Sequence, residues 1–282
     1  RPAPDAPPID GPELSDTAEP PMGSLHVGES TNASTSGAPN WFWWSTIVGF
    51  CGFATLALEV LYTRLFSLVF HNSTYTFAAV LAVFLAALAL GAAVVPVLSR
   101  RVPGETLVGA TSLLGAVAVA ASGVVFIRVT GLEYFKGGES FGSYLLGGVM
   151  VVAAVVLPPV TLLGMLLPLI WQSLPQSTGA GRLVGRLTMV NTLAASLGSV
   201  AASFALLPTF GLWASFSVVA FVFWLVSGAV FFRRRQTRLA LLGGLVCLPL
   251  IYLIGATTQR LTRPTSMDDE DIIRRWESAY GW

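Results

Sequence analysis

Seven apolar stretches occupy most of this 282-residue chain between Trp41 and Gln259. A helix needs roughly 20 apolar residues to cross a hydrocarbon core about 30 Å thick, and most of the stretches reach that length. Only 11% of the residues are charged, against about 25% in a typical soluble domain. The sequence therefore predicts an all-α polytopic membrane protein. We expect about seven transmembrane helices, at 43–68, 74–98, 106–128, 143–172, 184–208, 212–232 and 239–257.

The composition divides the chain into parts. Residues 1–40 are rich in Pro, Ala and Ser and lack the apolar core of a signal peptide. Such a segment buries too little apolar surface to offset its chain entropy, so we expect a disordered tail. Residues 41–260 form the predicted seven-helix domain, and residues 261–282 follow it as a juxtamembrane segment.

The arginines predict how the helices are oriented. Two, two and four arginines follow the second, fourth and sixth predicted spans, whereas the other early loops carry few basic residues. Because cytoplasmic loops are enriched in Lys and Arg, we expect the N-terminus to be cytoplasmic and the protein to lie in a bacterial inner membrane. The side of the C-terminus stays open, because four arginines also follow the seventh span. The arginines after the even spans are Arg100, Arg101, Arg182, Arg186, Arg233, Arg234, Arg235 and Arg238.

Three prolines interrupt the overlong fourth span. Proline removes a helical hydrogen-bond donor and clashes with the preceding turn. The pair Pro158-Pro159, together with Pro168, therefore predicts a kink or break in this helix.

Two charged residues, Glu59 and Arg64, fall inside or near the end of the first span. A charge within a span costs about 2.5–3.5 kcal/mol on insertion scales, so it usually faces protein or water. Five residues on one helix place the two side chains about 140° apart, which predicts that they do not pair directly. Glu59 could instead reach Asn191 or a hydroxyl on the fifth span. Both a structural polar clamp and a proton or solute pathway are compatible with this pattern.

Small residues recur four apart on two of the predicted spans. This spacing lets membrane helices approach closely. We therefore interpret these residues as helix-packing positions and not as ligand sites. They are Gly91, Ala194, Gly198 and Ala202.

Several function classes find no support in the sequence. The last span has no lysine for a retinal Schiff base, and His26 and His71 do not form the paired pattern of membrane haem ligands. No metalloprotease, nucleotide-binding or hydrolase motif occurs. The sequence thus offers no catalytic, cofactor-binding or metal-binding residue, implies no cofactor, and suggests no nucleic-acid partner.

Several segments, in order, resemble the membrane domain of the fused spermidine-synthase-like integral membrane proteins. The first block runs from Gly52 through Glu59 and Arg64 to Ser67, and similar segments follow at 72–77 and 84–91. A second block runs from Gly185 to Ser199 and is followed by residues 207–211. The resemblance covers about residues 45–260.

The C-terminal heptapeptide extends this resemblance. Residues 276–282 are similar to the first hairpin strand of the synthase domain, through Glu277, Ser278 and Tyr280, although Ala279 stands where a proline is usual. The resemblance implies that 261–282 leads into a synthase-like domain. Aminopropyltransferase activity on polyamines would require that domain beyond Trp282.

Three functional hypotheses follow from the sequence. The first is the membrane domain of a spermidine-synthase-like protein, which anchors or serves a domain beyond Trp282. The second is an integral scaffold subunit of a larger membrane complex. The third is a small-solute transporter that uses Glu59 and Arg64. The expected partners are accordingly the lipid bilayer and either other membrane subunits or a fused soluble domain.

Overall fold

The computed structural model describes residues 41–70, 74–133, 135, 140–174, 180–235, 243, 245 and 248–261. The regular elements among these residues are helical. They are α1 (Trp41–Phe66), α2 (Thr74–Leu98), α3 (Gly104–Thr130), α4 (Phe141–Gly164), α5 (Leu166–Gln172), α6 (Ala180–Ala201), a π-helix (Ala202–Leu206), α7 (Leu207–Arg233) and α8 (Leu248–Leu261).

Five helical segments in the described part of the chain are long and apolar enough to cross a membrane. The first four correspond closely to the first four predicted spans. The fifth covers the predicted fifth and sixth spans, and the seventh prediction lies partly outside the described residues. The all-helical class is therefore confirmed, whereas the count of seven is not. The five segments are Trp41–Phe66, Thr74–Leu98, Gly104–Thr130, Phe141–Gln172 and Gly181–Arg233.

The fifth segment folds back on itself near Gly211. This glycine has φ 71° and ψ 174°, a conformation essentially restricted to glycine. Before it, α6 runs parallel to α1, since Gly49 contacts Val190 and Gly198 contacts Phe53.

After Gly211 the chain runs in the opposite direction along α1. The rings of Tyr62 and Phe216 are 5.2 Å apart, and Arg233 lies 5.2 Å from the ring centre of Trp43. The 53-residue segment therefore contains two antiparallel helical runs.

Glycines bring two pairs of helices into backbone contact. A Cβ atom at Gly198 would lie 2.0 Å from the Phe53 carbonyl oxygen, and one at Gly91 would lie 2.2 Å from the Thr161 carbonyl oxygen. Helix α6 therefore packs directly on α1, and α2 packs on α4. Because an alanine methyl would overlap the facing backbone, these two positions require glycine.

The proline-rich fourth span is interrupted after its proline pair. Helix α4 continues through Pro158 and Pro159 to Gly164, and a turn at Met165 separates it from α5, which contains Pro168. A proline at position 168 cannot donate to the carbonyl of Gly164. The break therefore lies at Met165, directly after the carbonyl that Pro168 cannot bond, and not at the proline pair.

Basic residues gather at the end of the bundle where α1 begins. Arg233 stacks over Trp43, and Arg234 forms an ion pair with Glu105 in the first turn of α3. Aromatic residues pack at the opposite end. The contacting rings there include Tyr62, Phe66, Phe70, Phe126, Phe135, Tyr144, Trp213 and Phe216.

Candidate functional site

A cavity of about 440 Å³ lies between the second half of α1, the start of α2 and the end of α6 with its π-helix. Its volume falls within the range of roughly 300–1,000 Å³ that is typical of small-molecule sites. It is lined by Leu56, Glu59, Val60, Thr63, Arg64, Ser67, Phe77, Ser199, Ser203 and Leu207.

The polar lining comes from two stripes with helical spacing. On α1, Glu59, Thr63 and Ser67 are four residues apart, and on the other wall Ser199 and Ser203 are four apart. Residues at this spacing share one face of a helix. The parallel packing of α1 and α6 then sets the two stripes opposite each other. Of these residues, only Glu59 was predicted from the sequence as a polar site.

Glu59 and Arg64 both line this cavity although they diverge around α1. In the described part of the chain, the one ion pair joins Arg234 and Glu105, so Glu59 and Arg64 do not pair with each other. The Glu59 carboxylate has no hydrogen-bond partner among those residues, whereas Arg64 makes an interaction of its own. The cavity therefore presents one half-buried carboxylate that the neighbouring helices leave unbonded.

The hydroxyl groups of the lining fall into two classes. Ser67 donates to the Arg64 carbonyl at 2.7 Å, and Ser203 donates to the Ser199 carbonyl at 3.2 Å. The hydroxyls of Thr63 and Ser199 make no hydrogen bond within the described ranges. These two groups remain able to donate to and accept from a molecule in the cavity.

The π-helix Ala202–Leu206 forms part of the wall and carries Ser203. A π-helical turn inserts an extra residue into a helix, is rare, and is frequent at functional sites. Here the extra residue changes the register of the helix after α6, just before the chain reverses near Gly211. The irregular backbone therefore coincides with the polar cavity.

The depth of the lining follows from helix geometry. Leu56 and Ser67 are eleven residues apart, which corresponds to about 16 Å along the axis of α1. Arg64 lies in the last turn of α1, and Glu59 lies about 7.5 Å farther from that end. The cavity thus extends from the end of α1 opposite the arginine-rich end into the apolar part of the bundle.

The structure places the other predicted residues outside this cavity. Asn191 lies against Gly52: a Cβ atom built on Gly52 would be 2.6 Å from the Oδ1 atom of Asn191. Gly52 is about 10 Å from Glu59 along the axis of α1. The Cβ atom of Ala194 would lie 3.9 Å from a Cβ atom added to Gly49. Ala202 is fully buried. The predicted hairpin start, Glu277, Ser278 and Tyr280, lies outside the described residues, as do the N-terminal tail and Lys136.

A second, smaller cavity of about 220 Å³ lies at the aromatic end of the bundle, and Glu133 is the acid among its described lining residues. No group of three or more His, Cys, Asp or Glu side chains able to hold a metal ion occurs within the described part. Comparison of this chain with protein-family models, curated proteins and solved structures finds no match.

Proposed function

We propose that this chain is an integral membrane protein that binds a small polar solute in the cavity between α1 and α6 and transports it. The observation that carries the proposal is the lining of one intramembrane cavity by Glu59, Arg64 and four hydroxyl residues. Ionisable groups within spans are expensive to insert and typically mark substrate or ion pathways.

The unbonded state of Glu59 favours this function over a structural clamp. A clamp would satisfy the carboxylate with a donor on a neighbouring helix, because an unsatisfied polar group in an apolar region destabilises the fold. The described neighbours offer Glu59 no such bond. Water or a solute in the cavity would supply the missing donors.

The backbone around the cavity supports transport in particular. Secondary transporters commonly build their sites from interrupted helices near the middle of the membrane. The π-helix at Ala202–Leu206 supplies one such irregularity beside the polar lining.

Uptake into proteoliposomes tests this proposal. The purified chain is reconstituted and offered labelled amino acids, amines and carboxylates, and the Glu59→Gln variant is compared with the parent. We expect at least a tenfold loss of uptake for the solutes that the parent carries. Glu133→Gln, which changes the other cavity's acid, is the matched control and should retain uptake. Unchanged uptake of every solute by Glu59→Gln would exclude this function.

We also propose that the arginine-rich end of the bundle faces the cytoplasm of a bacterial cell. The contacts of Arg233 with Trp43 and of Arg234 with Glu105 place the ends of three spans on one side, and positive residues favour the cytoplasmic side. The cavity would then open toward the exterior.

Cysteine labelling tests this orientation in a Cys51→Ala, Cys247→Ala background. Gly142→Cys, at a position with open space around it, should react with an impermeant maleimide in intact cells. Ser99→Cys, at the end of α2, should react only after permeabilisation. The reverse pattern would show the opposite orientation.

A second candidate function follows from the resemblance to spermidine-synthase-like membrane proteins. The blocks that carry the resemblance to spermidine-synthase-like membrane proteins are far apart in sequence, yet they contact each other through Gly52 with Asn191 and Phe53 with Gly198. This convergence favours a shared membrane domain that anchors or serves a domain beyond Trp282. The mass of the protein from its native membrane tests it: a value tens of kilodaltons above 29.8 kDa would support it, and a value near 29.8 kDa would contradict it.

A further inference from the structure

We propose that the molecule bound in the α1–α6 cavity is a zwitterion, with an ammonium group at Glu59 and an anionic group at Arg64. This inference rests on the proposed function and names the chemistry of its ligand. Both side chains line the same 440 Å³ cavity without pairing with each other.

Among the described residues that line the cavity, the formal charges sum to zero, because Glu59 and Arg64 are the two charged ones. Charges beside the low-dielectric interior of a helical bundle interact more strongly than charges in bulk water. A simple cation would be attracted by Glu59 but repelled by Arg64. A simple anion would be attracted by Arg64 but repelled by Glu59. A ligand with both charges gains both contacts.

The hydrogen-bond groups around Glu59 suit an ammonium group. An ammonium has three N–H donors and no acceptor. The Glu59 carboxylate and the unbonded hydroxyls of Thr63 and Ser199 are three candidate acceptors on the two facing walls. They allow the ammonium to leave water without losing its hydrogen bonds.

The Arg64 end suits the anionic group. Its guanidinium has five donors, so it can bind a carboxylate or phosphate besides the interaction that it already makes. Arg64 lies nearer the end of α1 than Glu59 by about 7.5 Å of helix axis. A bound zwitterion would therefore lie with its ammonium group deeper along α1 than its anionic group.

Two sources present this shared chemistry. One is a free amino acid, and the other is the ethanolamine-phosphate headgroup of a phospholipid. Apolar side chains that also line the cavity, among them Leu56, Val60 and Leu207, are compatible with the carbon chain of either source.

Titration of the purified full chain with three matched probes tests the inference. The probes are 4-aminobutyrate, butylamine and butyrate, which carry both charges, only the positive charge and only the negative charge. We expect 4-aminobutyrate to bind at least tenfold more tightly than either of the others. Glu59→Gln and Arg64→Gln should each remove that preference, and Arg128→Gln, outside the cavity, should keep it.

Nanodiscs distinguish the lipid source. We expect the protein to retain phosphatidylethanolamine through purification and to exchange it more slowly than phosphatidylcholine. The quaternary nitrogen of phosphatidylcholine cannot donate a hydrogen bond. A preference for phosphatidylethanolamine without a preference for 4-aminobutyrate supports the zwitterion and assigns it to a lipid headgroup. Equal binding of butylamine and 4-aminobutyrate would overturn the zwitterion but leave a solute site. If neither the soluble probes nor the lipids show selectivity, the zwitterion is also overturned. The proposed function is decided separately, by whether Glu59→Gln lowers uptake in proteoliposomes.

Discussion

Gly198 lies directly on the backbone of Phe53: a methyl group there would come within 2.0 Å of the Phe53 carbonyl oxygen. The two residues are 145 positions apart, and their contact joins α1 to α6 in parallel. Close approach at small residues is a common way for membrane helices to associate. This contact sits just before the polar stripes on both helices and therefore sets the width of the cavity.

Replacement of Gly198 by alanine should destabilise the protein and distort the cavity. Overpacking costs typically about 1–3 kcal/mol, and backbone atoms cannot move aside as a side chain can. We expect a clear fall in the thermal unfolding temperature in detergent and weaker solute binding. Gly185→Ala on the same helix, where an added Cβ meets nothing within 4 Å, should leave both unchanged. Equal behaviour of the two variants would contradict the contact.

The reversal at Gly211 predicts a second glycine effect. Its φ of 71° with ψ of 174° is costly for any other residue, by about 1–3 kcal/mol. Gly211→Ala should therefore lower the unfolding temperature. Gly228→Ala lies in the same element with open space around it, and it should be neutral or stabilising because alanine favours helix. A neutral Gly211→Ala would argue against the reversal.

Thr63 should contribute to ligand binding through its hydroxyl. Thr63→Val keeps the shape of the side chain and removes a group that lines the cavity. A hydrogen bond contributes about 0.5–1.5 kcal/mol net, so the dissociation constant should rise roughly two- to twelvefold. The control is Thr188→Val, whose hydroxyl donates to the Val184 carbonyl on α6. If both variants bind alike, Thr63 does not contact the ligand.

The ion pair between Glu105 and Arg234 should contribute little to stability. Its side chains are 33% and 34% exposed, and exposed pairs contribute about 0–1 kcal/mol. A double-mutant cycle of Glu105→Gln and Arg234→Gln should give a coupling energy in this range, measured by reversible unfolding in detergent. High salt should reduce it through screening. A coupling of several kcal/mol would mean that the pair is desolvated in the folded protein.

Much of the helical architecture could be predicted from the sequence. The predicted spans 74–98 and 106–128 differ from the observed Thr74–Leu98 and Gly104–Thr130 by two residues at most, because the length of an apolar run limits a membrane helix directly. The break in the fourth span was expected at or near its prolines, but its position at Met165 depends on the turn that precedes Pro168.

The candidate site was predicted only in part. Glu59 and Arg64 stood out because charges are rare in apolar spans. The roles of Thr63, Ser67, Ser199 and Ser203 could not be recognised, since serine and threonine often bond to their own helix and are common in membrane spans. Asn191 was an expected partner for Glu59, yet the register of α6 on α1 places it at Gly52.

The sequence by itself determined that this chain forms apolar helices long enough to cross a membrane, and it determined where most of them begin and end, because both depend on local hydrophobicity and length. Only the tertiary structure decided that Glu59 and Arg64 share a cavity with hydroxyl groups 135 or more positions away. That outcome depends on which helices are neighbours and in what register they pack. Contacts between backbones at Gly198 and Gly91 fix those choices, and such contacts arise between distant segments and not within any one of them.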